Sequence, residues 1–272
     1  PLLLLHGHPQ SMVMWHRVAP ELAKTRRVVL MDLRGYGDSS RPPADAEHVN
    51  HSKREMALDA LAVMQQHGFE RFDVLAHDRG ARVAHRLAVD QPQAVQRLML
   101  LDIAPTLGMY EHTSEAFARA YWHWFFLIQP SPLPEALLDA GPAQYVRSVM
   151  GSRHAGLAAF APDALAEYER CAALPGTSVS ICEDYRASAS IDLEHDRASR
   201  SQQVDGGGKI GCDTLVLWGD RGVVHRMFKP LDLWQAQCAG QVTGRPMQAG
   251  HFIPEELPAD TANTLKEFFD SH

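Results

Sequence analysis

Asp78 stands where the chain changes character. The stretch from Phe72 to Leu87, FDVLAHDRGARVAHRL, opens as an apolar strand, passes through His77-Asp78-Arg79-Gly80 and continues as a helix. A carboxylate on a sharp strand-to-helix turn, between the small residues Ala76 and Gly80, has the layout of a nucleophile elbow with Asp where serine hydrolases keep Ser. The exchange has a chemical meaning. Serine attack at an sp3 carbon bearing a leaving group would leave an ether that water does not cleave. Aspartate attack leaves an ester, which activated water hydrolyses at the Asp carbonyl. The elbow therefore points to the opening of alkyl halides or epoxides. Arg79 and Arg82 lie one helical turn apart on one face, and each guanidinium fork can hold a carboxylate. Without them an anionic substrate would be repelled by Asp78. They and the helix N-terminus also favour its ionised form.

A nucleophile of this kind needs a base and an orienting acid. His251 follows the last strand-like run, and two carboxylates compete to orient it. Asp102 closes the strand Val95 to Leu101. Asp220 follows Trp218-Gly219, near the place where many serine hydrolases carry their acid, but it falls too early, since the usual position is Gly222. Asp102 is preferred, which leaves Asp220 as a turn residue or partner of Arg221. His6-Gly7-His8, after the first strand, resembles a metal-ligand pair, but no HExxH or ligand-spaced Cys completes a metal set, so neither a metal nor any other cofactor is expected. The turn is read as a donor of the His8 backbone N–H to an oxyanion hole shared with that of Arg79. The His8 side chain then lines the pocket floor, and that of His6 is structural.

The elements that must position these residues follow from periodicity. Leu2 to Leu5, Arg27 to Leu33, Phe72 to Ala76 and Val95 to Leu101 read as buried strands, with helices expected over Met12 to Ala23 and Lys53 to His67. That alternation predicts an α/β architecture, a mostly parallel sheet flanked by helices, and its reactive residues fall at strand carboxyl ends, where such sheets bind ligands. After Pro105 the alternation stops, and helical segments run to about Gln203. A strand over Thr214 to Trp218, a helix near Leu231 to Cys238, a short strand around Gln241 to Met247 and a helix from Asp260 to Phe269 then resume the pattern. The expected organisation is a core of residues 1–105 and 204–272 carrying an inserted helical cap, 106–203.

The 272 residues, 45% of them hydrophobic, can bury a substantial core, and the net charge of −7 lacks the basic footprint of a nucleic-acid partner. No apolar run approaches the ~20 residues of a membrane span, and the cysteines, Cys171, Cys182, Cys212 and Cys238, are scattered thiols with no CxxC. A cytoplasmic enzyme acting on a small molecule is expected. In the insertion, Tyr121-Trp122-His123-Trp124-Phe125-Phe126 either glues the helices to the core or, through His123 and Trp124 together with Tyr185, offers N–H and O–H donors to a departing halide.

The chain resembles the α/β-hydrolase-fold haloacetate dehalogenases, a family that includes the fluoroacetate dehalogenases. The likeness runs from LLLLHGHPQSMVMWHRVAPELA through HDRGARVAHRLA, LLDIAPT, HWFFLIQPSPLPE, CEDYRASASIDLEHD and LVLWGD to GHFIPEE. HDRGAR is its most specific part, because related haloalkane dehalogenases and epoxide hydrolases typically carry Trp after the Asp. The resemblance implies Asp78 as nucleophile, His251 as base and Asp102 as its partner. It further implies Arg79 and Arg82 as carboxylate clamps, His123, Trp124 and Tyr185 as halide donors, and a homodimer. His8 replaces the usual Phe after His-Gly, and around Arg153 the family carries Trp, so pocket floor and wall are expected to differ. The chain also begins at what would be the family's third strand. Two other readings remain open: an epoxide hydrolase using Tyr185 with Tyr121, Tyr145 or Tyr168, and a ligand-binding protein without turnover.

Overall fold

The computed structural model describes residues 1–270; residues 271 and 272, the end of the expected core, lie outside the described residues. Six strands form one sheet: β1 (Leu2–Leu5), β2 (Val28–Met31), β3 (Phe72–His77), β4 (Val95–Leu101), β5 (Asp213–Gly219) and β6 (Val242–Met247). Their order is β2-β1-β3-β4-β5-β6, with every neighbouring pair parallel. The central strands β1 and β3 are buried throughout, as expected of continuous apolar runs covered on both faces. Alternate residues feed two cores. Leu3, Leu5, Val74 and Ala76 pack on one face of the sheet, and Leu2, Leu4 and Leu75 on the other. Chain order reverses between β1 and β3, so the loops after these two strands meet at a crevice, the place where open α/β sheets bind ligands.

Helices α1 (Ala19–Leu22), α2 (Lys53–Gln66) and α3 (Asp78–Asp90) belong to the first half of the fold. The expected single helix over Met12 to Ala23 is instead a 3-10 turn, Met12–Trp15, followed by the four residues of α1. Pro20 explains the break: mid-helix it would lack a donor and clash with the preceding turn, whereas at the start of α1 it fits.

Between β4 and β5 come α4 (Thr106–Glu111), α5 (Glu115–Ala120), α6 (Trp122–Leu127) and α7 (Leu133–Asp139). Then follow α8 (Pro142–Gly151), α9 (Pro162–Ala172), α10 (Thr177–Ala189) and α11 (Ile191–Gln202). Among the described residues, 102–209 contain no strand. Two expected helices are divided: Thr113 to Ile128 breaks at Tyr121, and Val179 to Asp196 breaks at Ser190, where the backbone leaves helical angles. Helices α12 (Val223–Met227), α13 (Pro230–Gln237), α14 (Ile253–Glu256) and α15 (Pro258–Asp270) complete the chain. No described helix is long and apolar enough to cross a membrane.

Candidate active site

The elbow is built by close backbone approach. Asp78 adopts φ +46°, in the left-handed region that L-residues enter only when their surroundings over-determine it. Two glycines make this possible. A Cβ at position 80 would lie 2.4 Å from the His6 carbonyl oxygen, and one at position 7 would lie 2.5 Å from the Asp78 Cβ. With both absent, the Gly80 N–H donates to the His6 carbonyl at 2.9 Å and ties the start of α3 to the loop after β1. That loop then delivers the His8 backbone N–H to Asp78 Oδ1 at 3.0 Å. The other oxygen, Oδ2, lies 3.8 Å from His251 Nε2. Burial alone would push the Asp78 carboxyl up. The electrostatic pull of the neighbouring His251, His77, Arg82 and Arg79 outweighs it and holds the group well below the usual carboxylate range.

His251 Nδ1 contacts Asp102 Oδ2 at 2.6 Å, and the Gly219 N–H donates to Asp102 Oδ1 at 2.9 Å. Asp102 is buried at the end of β4 with φ +48°, so both carboxylates that flank His251 sit on strained turns. The rival Asp220 lies instead 3.3 Å from Arg221 Nε. With Nδ1 committed to Asp102, the imidazole presents Nε2 toward Asp78. His77 Nε2 donates to the His251 carbonyl at 2.8 Å and fixes the loop that carries His251.

Both arginines are buried, and most of their donors are spent within the protein. Arg79 Nε and Nη2 bond to Asp184 at 2.8 Å, and Nη2 also reaches Ser188 Oγ at 2.6 Å. Arg82 Nη1 donates to Thr106 Oγ1 at 2.7 Å. What remains is one unpartnered donor on each, Arg79 Nη1 and Arg82 Nε. Buried donors without a partner are costly, and these are the groups an anionic substrate would satisfy. What the two arginines leave open is thus one nitrogen each, an Nη1 and an Nε, rather than two complete forks.

Asp184 is the residue that sequence reasoning missed. It holds Arg79 from α10, pairs with Lys53 and accepts the Tyr36 hydroxyl at 2.7 Å. Burial opposes its charge, but Arg79 and Lys53 keep the carboxyl low. Its only signal was its place in the polar run Glu183-Asp184-Tyr185-Arg186. Contacts spanning more than a hundred residues leave no local pattern.

Rings close the site from the helical segment. Tyr185 lies under the Arg79 guanidinium at 4.1 Å and Trp124 under that of Arg82 at 4.8 Å. His123 stacks on His8 with ring centroids 6.2 Å apart and meets Tyr185 edge-on at 5.9 Å. Trp124 Nε1 is buried and unpartnered, as is His8 Nδ1, while His8 Nε2 bonds to the Tyr145 hydroxyl at 2.9 Å. Burial pushes His8 down to about 3 and His123 well below its ordinary value, so both rings are neutral near pH 7. The structure thus brings His123, Trp124 and Tyr185 together, with His123 and Tyr185 against the His8 ring, and Tyr145 joins them there. His6 stays structural: Nδ1 is 3.0 Å from the Gly7 carbonyl, and Nε2 accepts from the Leu33 N–H at 3.0 Å.

Residues 1–258 match the alpha/beta hydrolase fold family. The chain is 42% identical to a fluoroacetate dehalogenase from Burkholderia sp, over 98% of this chain and 86% of that protein. It is 30% identical to a soluble epoxide hydrolase from Corynebacterium sp. (strain C12), over 99% of this chain and 90% of that one. A solved structure from Nostoc sp PCC 7120, described as an alpha/beta hydrolase, superposes with a TM-score of 0.94 at 50% identity, covering 100% of this chain and 91% of that one. The chain belongs to the α/β-hydrolase fold family, and its likeness to a haloacetate-cleaving member, expected from HDRGAR, is borne out.

Proposed function

We propose that the chain is a hydrolytic dehalogenase that converts a 2-haloacetate and water into glycolate and halide. The observation that carries this reading is the asymmetry of Asp78: Oδ1 is held by the His8 amide and Oδ2 faces His251, while Arg82 and Arg79, which act on its charge, each keep an unpartnered donor. The substrate carboxylate binds Arg79 Nη1 and Arg82 Nε, which offsets its repulsion by the nucleophile. Asp78 Oδ2 attacks the adjacent carbon, the carbon–halogen bond breaks, and the halide leaves with the bonding pair toward His123, Trp124 and Tyr185. An ester remains. His251 Nε2 then takes a proton from water, whose oxygen attacks the Asp78 carbonyl carbon, and the His8 N–H stabilises the oxyanion formed on Oδ1. Collapse breaks the bond between the carbonyl carbon and Oδ2, which leaves as the glycolate oxygen and takes its proton from the His251 imidazolium that Asp102 has stabilised. The water oxygen stays on Asp78, whose carboxyl ionises and releases the second water proton.

A single turnover in heavy-oxygen water tests the scheme. The label is expected in the Asp78 carboxylate, and label confined to glycolate would mean direct attack by water. The epoxide reading has one observation in its favour, the Tyr145 and Tyr185 rings flanking His8 at 5.7 and 5.3 Å. Parallel assays on chloroacetate and styrene oxide separate the two.

A further inference from the structure

A pocket of about 360 Å3 opens beside His251 and Asp102. Four guanidiniums, Arg119, Arg153, Arg221 and Arg226, line it. Among the described residues Asp102 is the only carboxylate in its wall, and both of its oxygens are already bonded, to His251 and to the Gly219 N–H. In a chain of net charge −7 this concentration of positive charge is local. Arg119 pairs with Glu115, Arg221 lies near Asp220, and Arg226 donates to the Arg221 carbonyl. Arg153 differs. Among the described residues no carboxylate lies within ion-pair distance of it, its Nε is buried without a partner, and its guanidinium covers the Tyr121 ring at 5.2 Å. Tyr121 stacks on His123 at 5.8 Å, so the rings continue from Arg153 to His123 and on to His8, whose backbone N–H bonds Asp78.

We propose that this pocket is a second anion-binding site, with Arg153 as its cation, that takes a small monovalent anion: a carboxylate on its way in or a halide on its way out. A buried guanidinium N–H without an acceptor needs one. A cleft of one charge sign, with low-dielectric walls, raises the local concentration of counter-ions. The pocket's volume lies within the range of small-molecule sites.

The site carries its own probe. Trp122 lines the pocket and is 43% exposed, whereas Trp15, Trp124, Trp218 and Trp234 are exposed by 8% or less. Iodide quenching of tryptophan fluorescence therefore reads this pocket, and acrylamide is the neutral control. Saturable iodide quenching is expected in the wild type, weakened about tenfold or more in Arg153→Met and partly restored in Arg153→Lys. Acrylamide quenching should be equal in all three, which also reports that the fold is intact. Linear, unsaturable iodide quenching that Arg153→Met leaves unchanged overturns the site. Displacement of iodide by chloroacetate identifies an entry site and displacement by chloride alone an exit site; displacement by neither overturns the proposal. The identity of the anion rests on the haloacetate reading, but the quenching needs no turnover. Absent halide release from chloroacetate would sink that reading and leave the anion site standing.

Discussion

With Oδ1 of Asp78 held by the His8 amide and Oδ2 turned to His251, the two oxygens of one carboxylate have different tasks in the proposed reaction. Asp78→Asn removes the attacking oxyanion, so halide release from chloroacetate should fall by at least about a thousandfold with the circular dichroism unchanged. Asp102→Asn acts later. An amide N–H facing His251 Nδ1 would force the other tautomer and leave Nε2 protonated, unable to take a proton from water. The expected result is a halide burst followed by turnover roughly a thousandfold slower or more, with the Asp78 ester visible by mass spectrometry. A steady state without a burst would refute this division of roles.

Elements enter through how closely they approach one another. The loop after β1 and the start of α3 touch only because positions 7 and 80 lack a Cβ. Gly80→Ala would set a methyl 2.4 Å from the His6 carbonyl. It should break the His8 contact to Asp78 and lower both the thermal midpoint and the rate of ester hydrolysis. Helices α10 and α2 are joined to α3 through Asp184, Lys53 and Arg79. Removing one partner of a buried ion pair strands the other, so Asp184→Asn should cost about 3–5 kcal/mol in urea unfolding and raise KM for chloroacetate by freeing Arg79 to move. Loss of stability with KM unchanged would show that Asp184 supports the fold without positioning Arg79.

At the scale of the whole molecule, the core holds several histidines neutral. Burial is the largest cause in each case, and it pushes His8 down to about 3 and His77 and His85 to about 4. The unfolded chain binds protons on these rings near pH 6.5, while the folded protein does not. Their contribution to stability is therefore complete above about pH 6.5 and is lost as pH falls toward 4. His85 packs edge-on against Trp234, away from Asp78. At about 1.36 kcal/mol per pH unit, its share of the acid loss is roughly 3 kcal/mol. His85→Gln should flatten the fall in urea midpoint between pH 6.5 and 4, and an unchanged slope would assign the acid sensitivity elsewhere.

The fold, and the elements that carry the candidate residues, were largely legible from the sequence because they lie in local order. Strand, Asp78 and helix follow one another within sixteen residues, Asp102 directly ends a strand, and apolar runs with period changes mark the elements that carry them. Helix breaks at Tyr121 and Ser190 were less legible, because side-chain periodicity continues across a backbone turn, whereas the break before α1 had its signal in Pro20. Only the tertiary structure decided which donors stay free. Arg79 and Arg82 looked like two open forks in sequence, but partners brought from other helices, Asp184 and Thr106 among them, satisfy most of the donors and leave one nitrogen unpartnered on each. Hydrogen bonds between residues far apart in the chain depend on three-dimensional distance, and no spacing in a single sequence records that.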